Sequence, residues 1–326
     1  MALNINLANM KIVILDGFTT NPGDLSWESI SSLGQTSIWD RTDDADLIDR
    51  AEGAQILVVN KRILGRKELS QLPDVQCICT LATGYNVIDI NYCRENNITV
   101  CNAVGYSSES VAQHVFAMIL HHYSNLGKYL NLVNQGKWSA SRDWTFHSAP
   151  LVELSQKVIG IYGYGKIGKA VSKVARGFGM KVAVKSRGKE KDTAIDVTYL
   201  NEKEFFESCD IISLHAPLTK QNHLYINEEK LSWMKKTAIL INTSRGGVIN
   251  EPDLKDALSN GIIAAAYLDV LSEEPPAQGH ILENVKGCFI TPHIAWATKE
   301  SRTRLIETVA ENIKAFLKGS PQNIVV

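Results

Sequence analysis

The chain has 326 residues, of which 44% are hydrophobic and 21% charged, and its formal net charge is −1. That length exceeds what one hydrophobic core fills, so two domains are expected. The balanced charge excludes the basic excess that nucleic acid or an acidic membrane surface demands, leaving small molecules or further copies of the chain as partners.

The N-terminal stretch MALNINLANMKIVILDG lacks a basic segment ahead of a long apolar run, and no window approaches about eighteen consecutive apolar residues. Neither secretion nor membrane insertion is expected. Short apolar runs then alternate with polar, helix-like segments: KIVILDG, AQILVVN, VQCICTLATG and NITVCNA. That alternation predicts a parallel sheet with crossover helices. The six cysteines, at 77, 79, 93, 101, 209 and 288, form no CxxC pair, and most sit in or beside strand-like runs. They read as small core hydrophobes in a reduced, cytoplasmic setting.

The segment SSESVAQHVFAMILHHYSNLGKYLNLV places Val111, Val115, Met118, Ile119 and Leu126 roughly on one face and predicts one long connecting helix. His114, His121 and His122 lie on it without a partner at metal-ligand spacing, so no metal is expected. After the aperiodic stretch 134–150, a second series of strands follows: KVIGIYG, MKVAVKS, CDIISLH, AILINTS, AAAYLDV and GCFITPH. The closing TRLIETVAENIKAFLKG is apolar at 305, 309, 313, 316 and 317 and predicts a helix stopped by Gly319 and Pro321. Each half therefore reads as its own doubly wound α/β unit.

Between the strands KVIGIY and MKVAVKS lies Gly163-Tyr164-Gly165-Lys166-Ile167-Gly168, followed by a helix with Ala170, Val171, Val174 and Phe178 as its stripe. Strand, glycines, helix and strand in that order predict a dinucleotide site with its pyrophosphate at the helix N-terminus. At the end of the second strand, where an acid normally holds the ribose of NAD, stand Ser186 and Arg187, with Lys189 and Lys191 beyond. A small hydroxyl beside a guanidinium suits a 2′-phosphate, so NADP(H) is the preferred cofactor, with NAD(H) possible.

In an open parallel sheet, ligands bind beyond the carboxyl ends of the strands. AILIN leads there into Thr243-Ser244-Arg245, AAAYL into Asp269 and then LSEEPP, and CFITP into His293. Reduction of a carbonyl needs a proton donor, which histidine with a neighbouring carboxylate provides, and a cation that orients the substrate. His293, Arg245 and one of Glu273 or Glu274 are the candidates.

The stretches GYGKIG, HAPLT (215–219), INTSRGGVINEPDL (241–254), LDVLSEEPP (268–276) and TPHIAWAT (291–298), taken in this order, resemble the D-isomer-specific 2-hydroxyacid dehydrogenase family. LATGYNVID (81–89), SVAQH (110–114) and HIAWAT are most similar to its glycerate dehydrogenase, or hydroxypyruvate reductase, branch. The resemblance implies a Rossmann NAD(P)-binding domain, 105–295, inserted into a flavodoxin-like split catalytic domain made of 1–104 and 296–326. It implies Arg245, Glu274 and His293 as the catalytic set, choosing Glu274 over Glu273. It further implies backbone N–H groups of Ala82, Thr83 and Gly84 on the substrate carboxylate, and Asp269 on the nicotinamide side. Lys166 and Ile167 would cover the pyrophosphate, while His215, Ala216, Pro217, Thr243 and Ser244 line the cofactor path. A homodimer in contact through 121–150, with Trp138, Trp144 or Phe146 reaching the partner, is also implied. Rival readings are a dinucleotide-sensing corepressor-like binding protein and a family dehydrogenase of the D-lactate or phosphite type. The identity of the oxo acid stays open, since the pocket around Asn60, Leu81, Tyr85 and Trp296 is set in space.

Overall fold

The computed structural model describes residues 10–186 and 197–326. The chain divides into two compact units, Met1–Ser107 with Ala297–Val326, and Ser108–Trp296.

The first unit holds β1 (Lys11–Ile14), β2 (Gln35–Ile38), β3 (Ile56–Val59), β4 (Cys77–Thr80) and β5 (Thr99–Cys101), all parallel, in the order β2-β1-β3-β4-β5. Every residue of β3 and β4 is buried, which is why both appear in the sequence as unbroken apolar runs. β2 was not legible: it is a partly exposed edge strand of sequence QTSI and has no apolar run to reveal it. Cys77, Cys79 and Cys101 pack together on β4 and β5, fully buried, and all six cysteines are free thiols. The C-terminal helix Lys299–Leu317 starts at Thr298, whose hydroxyl accepts from Ser301 N, and buries Leu305, Val309 and Ile313. Gly319 ends it with φ +71°.

The second unit holds β6 (Val158–Tyr162), β7 (Lys181–Lys185), β8 (Thr198–Tyr199), β9 (Ile211–Leu214), β10 (Ile239–Asn242), β11 (Ala265–Leu268) and β12 (Cys288–Ile290). All pairings are parallel, in the order β12-β11-β10-β9-β6-β7-β8. The chain winds outward from β6 to β8 on one side and from β9 to β12 on the other. The carboxyl ends of neighbouring β6 and β9 are therefore the switch point, where such sheets open a crevice. Alternate strand residues feed two cores. Ile159, Ile161, Val184 and Ile241 join one, with Val115 and Ile119, while Tyr162, Leu214, Leu240 and Leu268 join the other, with Phe205 and Phe206.

Two helical expectations change. In place of one connecting helix there are two, Ser108–Ser124 and Leu126–Asn134, separated by Asn125 at φ 49°. Asparagine tolerates this left-handed conformation better than most residues, and it ends the first helix. Val111, Val115, Met118 and Ile119 are buried as expected, but Leu126 lies 60% exposed. After the glycine loop the helix Lys166–Gly177 buries Gly168, Val171, Ser172 and Ala175, whereas Phe178 falls at its C-terminal cap and stacks on Phe116 with centroids 5.3 Å apart.

Candidate active site

Because all seven strands of the second unit are parallel, the loops after β6, β7, β9, β10, β11 and β12 leave from one edge of the sheet. The glycines of the first loop are required for different physical reasons. Gly163 has φ +96°, and a Cβ there would meet Ala216 N at 2.5 Å. At Gly168 a Cβ would meet Gly163 O at 2.4 Å, so helix and loop touch only because the side chain is absent. Gly165 is different, because nothing lies within 4 Å of its added Cβ. No protein atom forbids a side chain at that position. The open space caps the N-terminus of Lys166–Gly177, whose first N–H groups have no intrahelical acceptor and which favours an anion. Tyr164, Lys166 and Ile167 flank this cradle, which fits a dinucleotide pyrophosphate.

Ser186 directly follows β7, and its neighbour Lys185 pairs with Tyr162 and accepts from Gly163 N at 2.9 Å. Ser186 thus borders the glycine loop. Arg187, with Lys189 and Lys191, lies outside the described residues. Across the switch point, His215 and Thr243 follow the paired residues Leu214 and Asn242. His215 Nε2 lies 2.9 Å from Ser213 Oγ, and burial pushes its pKa down to about 3, so the ring is neutral. Its Nδ1 and the Thr243 hydroxyl are buried and have no hydrogen-bond partner among the described residues. Buried polar atoms rarely stay unpaired, and two on neighbouring strand ends suit a bound polar molecule. Ala216 and Pro217 continue the same loop.

Arg245 stands on a turn built by buried Asn242. The Asn242 amide nitrogen donates to Arg245 O at 2.9 Å, and its oxygen accepts from Ser244 N at 3.0 Å and Ser244 Oγ at 2.8 Å. The arginine side chain is exposed, with Nη1 donating to Ser244 O at 2.7 Å. The next residue, Gly246, presses on the following loop so closely that a Cβ would sit 1.8 Å from Leu271 C. That loop carries Glu274. Of the two adjacent glutamates, Glu274 is the one that meets the histidine: its Oε2 lies 2.5 Å from His293 Nδ1, and its Oε1 accepts from Leu271 N at 3.0 Å. His293 sits at φ 53°, an unusual conformation for a side-chain-bearing residue and one that clusters at functional sites. The pair remains about one-third accessible, with side-chain exposures of 28% and 31%.

Asp269, expected to face the nicotinamide, is only 1% exposed. Its oxygens accept from Thr291 Oγ1 at 2.6 Å, Ile294 N at 2.9 Å and Ala295 N at 2.8 Å. It fastens the segment that carries His293. His114 adds to this cluster, with Nε2 3.1 Å from Thr291 Oγ1 and 3.6 Å from Asp269 Oδ1. The positioning roles of Asn242, Thr291 and His114 were not read from the sequence. The signal was their place at or just after strand ends, or on the helix Ser108–Ser124.

In the first unit, Ala82, Thr83 and Gly84 form the turn after β4. Thr83 Oγ1 donates to Ala103 O at 2.7 Å, Asn102 Nδ2 donates to Thr83 O at 2.7 Å, and Ala103 N donates to Ala82 O at 3.0 Å. The Ala82 and Thr83 carbonyls and the Thr83 hydroxyl are engaged. Its N–H groups at 82, 83 and 84 donate to no acceptor among the described residues.

Residues 116–295 match the family model of the D-isomer specific 2-hydroxyacid dehydrogenase, NAD binding domain. The chain is 42% identical to a hydroxypyruvate reductase of Blautia hydrogenotrophica, over 97% of this chain and 99% of that one. It is 36% identical to a glycerate dehydrogenase of Methylorubrum extorquens, over 86% and 88% respectively. Among solved structures, an acyclic imino acid reductase (Bsp5) in complex with NADPH and D-Arg superposes with a TM-score of 0.85 at 28% identity, covering 97% of this chain and all of that one (100%). The chain belongs to the D-isomer specific 2-hydroxyacid dehydrogenase family, NAD(P)-linked oxidoreductases that act on the CH–OH group of a 2-hydroxy acid.

Proposed function

We propose that the protein reduces a small 2-oxo acid, hydroxypyruvate or glyoxylate, to the D-2-hydroxy acid, with NADPH preferred over NADH. The observation that carries this reading is the 2.5 Å contact between His293 and Glu274, on the same sheet edge as an open glycine cradle. When bound, the dinucleotide supplies the hydride. Glu274 occupies Nδ1 of the histidine and fixes the ring, which leaves Nε2 as the atom that gives a proton to the substrate oxygen. Arg245 holds the carboxylate and the carbonyl oxygen through its planar fork, a role supported by its exposed guanidinium. The 82–84 amides take the other carboxylate oxygen, supported by their unengaged N–H groups.

The names of the relatives, hydroxypyruvate reductase and glycerate dehydrogenase, support a small, hydroxylated substrate. Ser186 beside the glycine loop, where an acid would repel a 2′-phosphate, supports NADPH, as does the NADPH-bound imino acid reductase. The proposal includes a homodimer joined through 121–150. Leu126, Leu130, Trp138 and Trp144 are 60%, 57%, 54% and 87% exposed, and the helix Leu126–Asn134 buries none of its residues.

Steady-state oxidation of NADPH and NADH against hydroxypyruvate, glyoxylate, pyruvate and larger 2-oxo acids tests the assignment. The highest kcat/KM is expected for the first two, with NADPH ahead by about tenfold or more, the worth of one charge-assisted phosphate contact. Turnover of none of these acids overturns the reading and favours a dinucleotide-sensing binding protein. A preference for NADH removes its cofactor half.

A further inference from the structure

The loop that carries Glu274 runs from β11 to β12, and within it the Leu271 N–H donates to Glu274 Oε1 at 3.0 Å. What holds its base is a residue from another element. Glu251 opens the helix Glu251–Ser259, which follows the Arg245 turn, and it is 8% exposed. Its Oε1 accepts from Ser272 N at 2.8 Å, and its Oε2 accepts from Ser272 Oγ at 2.7 Å. His280 Nε2 lies 3.3 Å from the same Oε2. Ser272 and His280 bracket Glu274 on its two sides, so one buried carboxylate bonds one shoulder of the loop and lies beside the other. The loop also meets Gly246 here, where a Cβ would stand 2.2 Å from Ser272 N. The segment 245–251 therefore presents Arg245 at one end and clamps the Glu274 loop at the other.

We infer that Glu251 is a positioning residue of the active site: it sets the register of Glu274 against His293 and ties that pair to the Arg245 turn. This rests on the function proposed above. Glu251 touches no reacting atom in that scheme. Its loss lets the Glu274 carboxyl drift, and displacements of about 1 Å at such a site cost on the order of 10²-fold in rate.

The test is a double-mutant cycle on the full-length protein, with NADPH and hydroxypyruvate. Glu251→Ala is expected to lower kcat about 10²-fold with KM for both substrates nearly unchanged, and Glu251→Gln, which keeps an acceptor for Ser272 N, to recover most of the loss. In a Glu274→Ala background, removing Glu251 should cost little further, because a residue acting through Glu274 has nothing left to position. Full kcat in Glu251→Ala, or losses that multiply in the double mutant, overturn the clamp. Should Glu251→Ala not accumulate as folded protein, Ser272→Ala is read the same way: a several-fold loss of kcat alone and none beside Glu274→Ala. His293→Ala measured in parallel separates the two claims, because normal turnover there sinks the proposed function, whereas a dead His293→Ala with a normal Glu251→Ala sinks only the clamp.

Discussion

The two parallel sheets follow the same winding logic, yet their carboxyl edges treat polar groups in opposite ways. At the edge of the smaller sheet most polar side chains are engaged by the protein itself. Asp16 after β1 accepts from the N–H groups of Asn60, Lys61 and Arg62 at 2.7, 2.6 and 2.8 Å. Asn60 in turn donates to Leu81 O at 2.8 Å, and Asn102 donates to Thr83 O at 2.7 Å. Left over there, among the described residues, are the N–H groups of the 82–84 turn and the buried Nε of Arg62. At the edge of the larger sheet His215 Nδ1 and Thr243 Oγ1 are orphaned, the Arg245 fork is exposed and Gly165 faces open space. A closed edge fixes loops, while an open one is where a protein keeps hydrogen-bonding capacity for something other than itself.

The sharpest way to break this comparison is to remove chemistry from the open edge. His293→Ala is expected to lower turnover of NADPH with hydroxypyruvate by about 10²- to 10⁴-fold while leaving thermal stability near that of the parent, the signature of a general acid without a core role. The glycine loop gives the next largest effect and distinguishes ligand space from protein space. Gly165→Ala should raise the dinucleotide KM about 10- to 100-fold, corresponding to about 1–3 kcal/mol of steric misfit, with an unchanged melting temperature. Gly163→Ala should instead reduce the yield of folded protein, since a Cβ at φ +96° meets Ala216 at 2.5 Å. Equal behaviour of the two variants would show that the loop is an ordinary tight turn.

The closed edge should respond in stability and not in chemistry. Asp16→Ala leaves three N–H groups without their acceptor and is expected to cost about 1–3 kcal/mol in denaturant unfolding, with kcat little affected in the protein that remains folded. A further effect concerns pH. His215 is held neutral down to about pH 3 in the folded chain, while the unfolded chain takes up its proton near the ordinary value of 6.5. Between those limits the unfolded state binds more protons, so stability falls as pH falls below about 6, by about 1.4 kcal/mol per pH unit from this one ring. His215→Gln should flatten that limb of a stability-against-pH series. An unaltered slope would mean that the ring accepts a proton in place.

Much of the fold was legible because strands buried on both faces are predominantly apolar. β3, β4, β9, β10 and β11 are buried at every position and appear as ILVV, CICT, IISL, ILIN and AAYL. The edges were not legible: β2 and the two-residue β8 are half exposed and need no apolar pattern. The break at Asn125 was hidden because an asparagine inside a helical period gives no sign of whether it will cap or continue. At the site, Arg245 and His293 followed from their places after strands, whereas Glu274 and Glu273 were equivalent in the sequence reading until the resemblance chose between them. Asp269, implied as a ligand contact by the resemblance, also fastens residues 291–295 through the N–H groups of Ile294 and Ala295.

The amino-acid sequence alone determined two parallel α/β units, the glycine loop between its strands and the residues delivered to strand ends, because hydrophobic period and glycine placement act locally. Only the tertiary structure decided how closely Glu274 meets His293, that Glu251 bonds Ser272 and lies beside His280, and that the polar groups of one sheet edge are more fully engaged than those of the other. Those outcomes depend on hydrogen bonds between segments far apart in the chain, whose few-ångström distances are set by packing and leave no periodic trace in the order of residues.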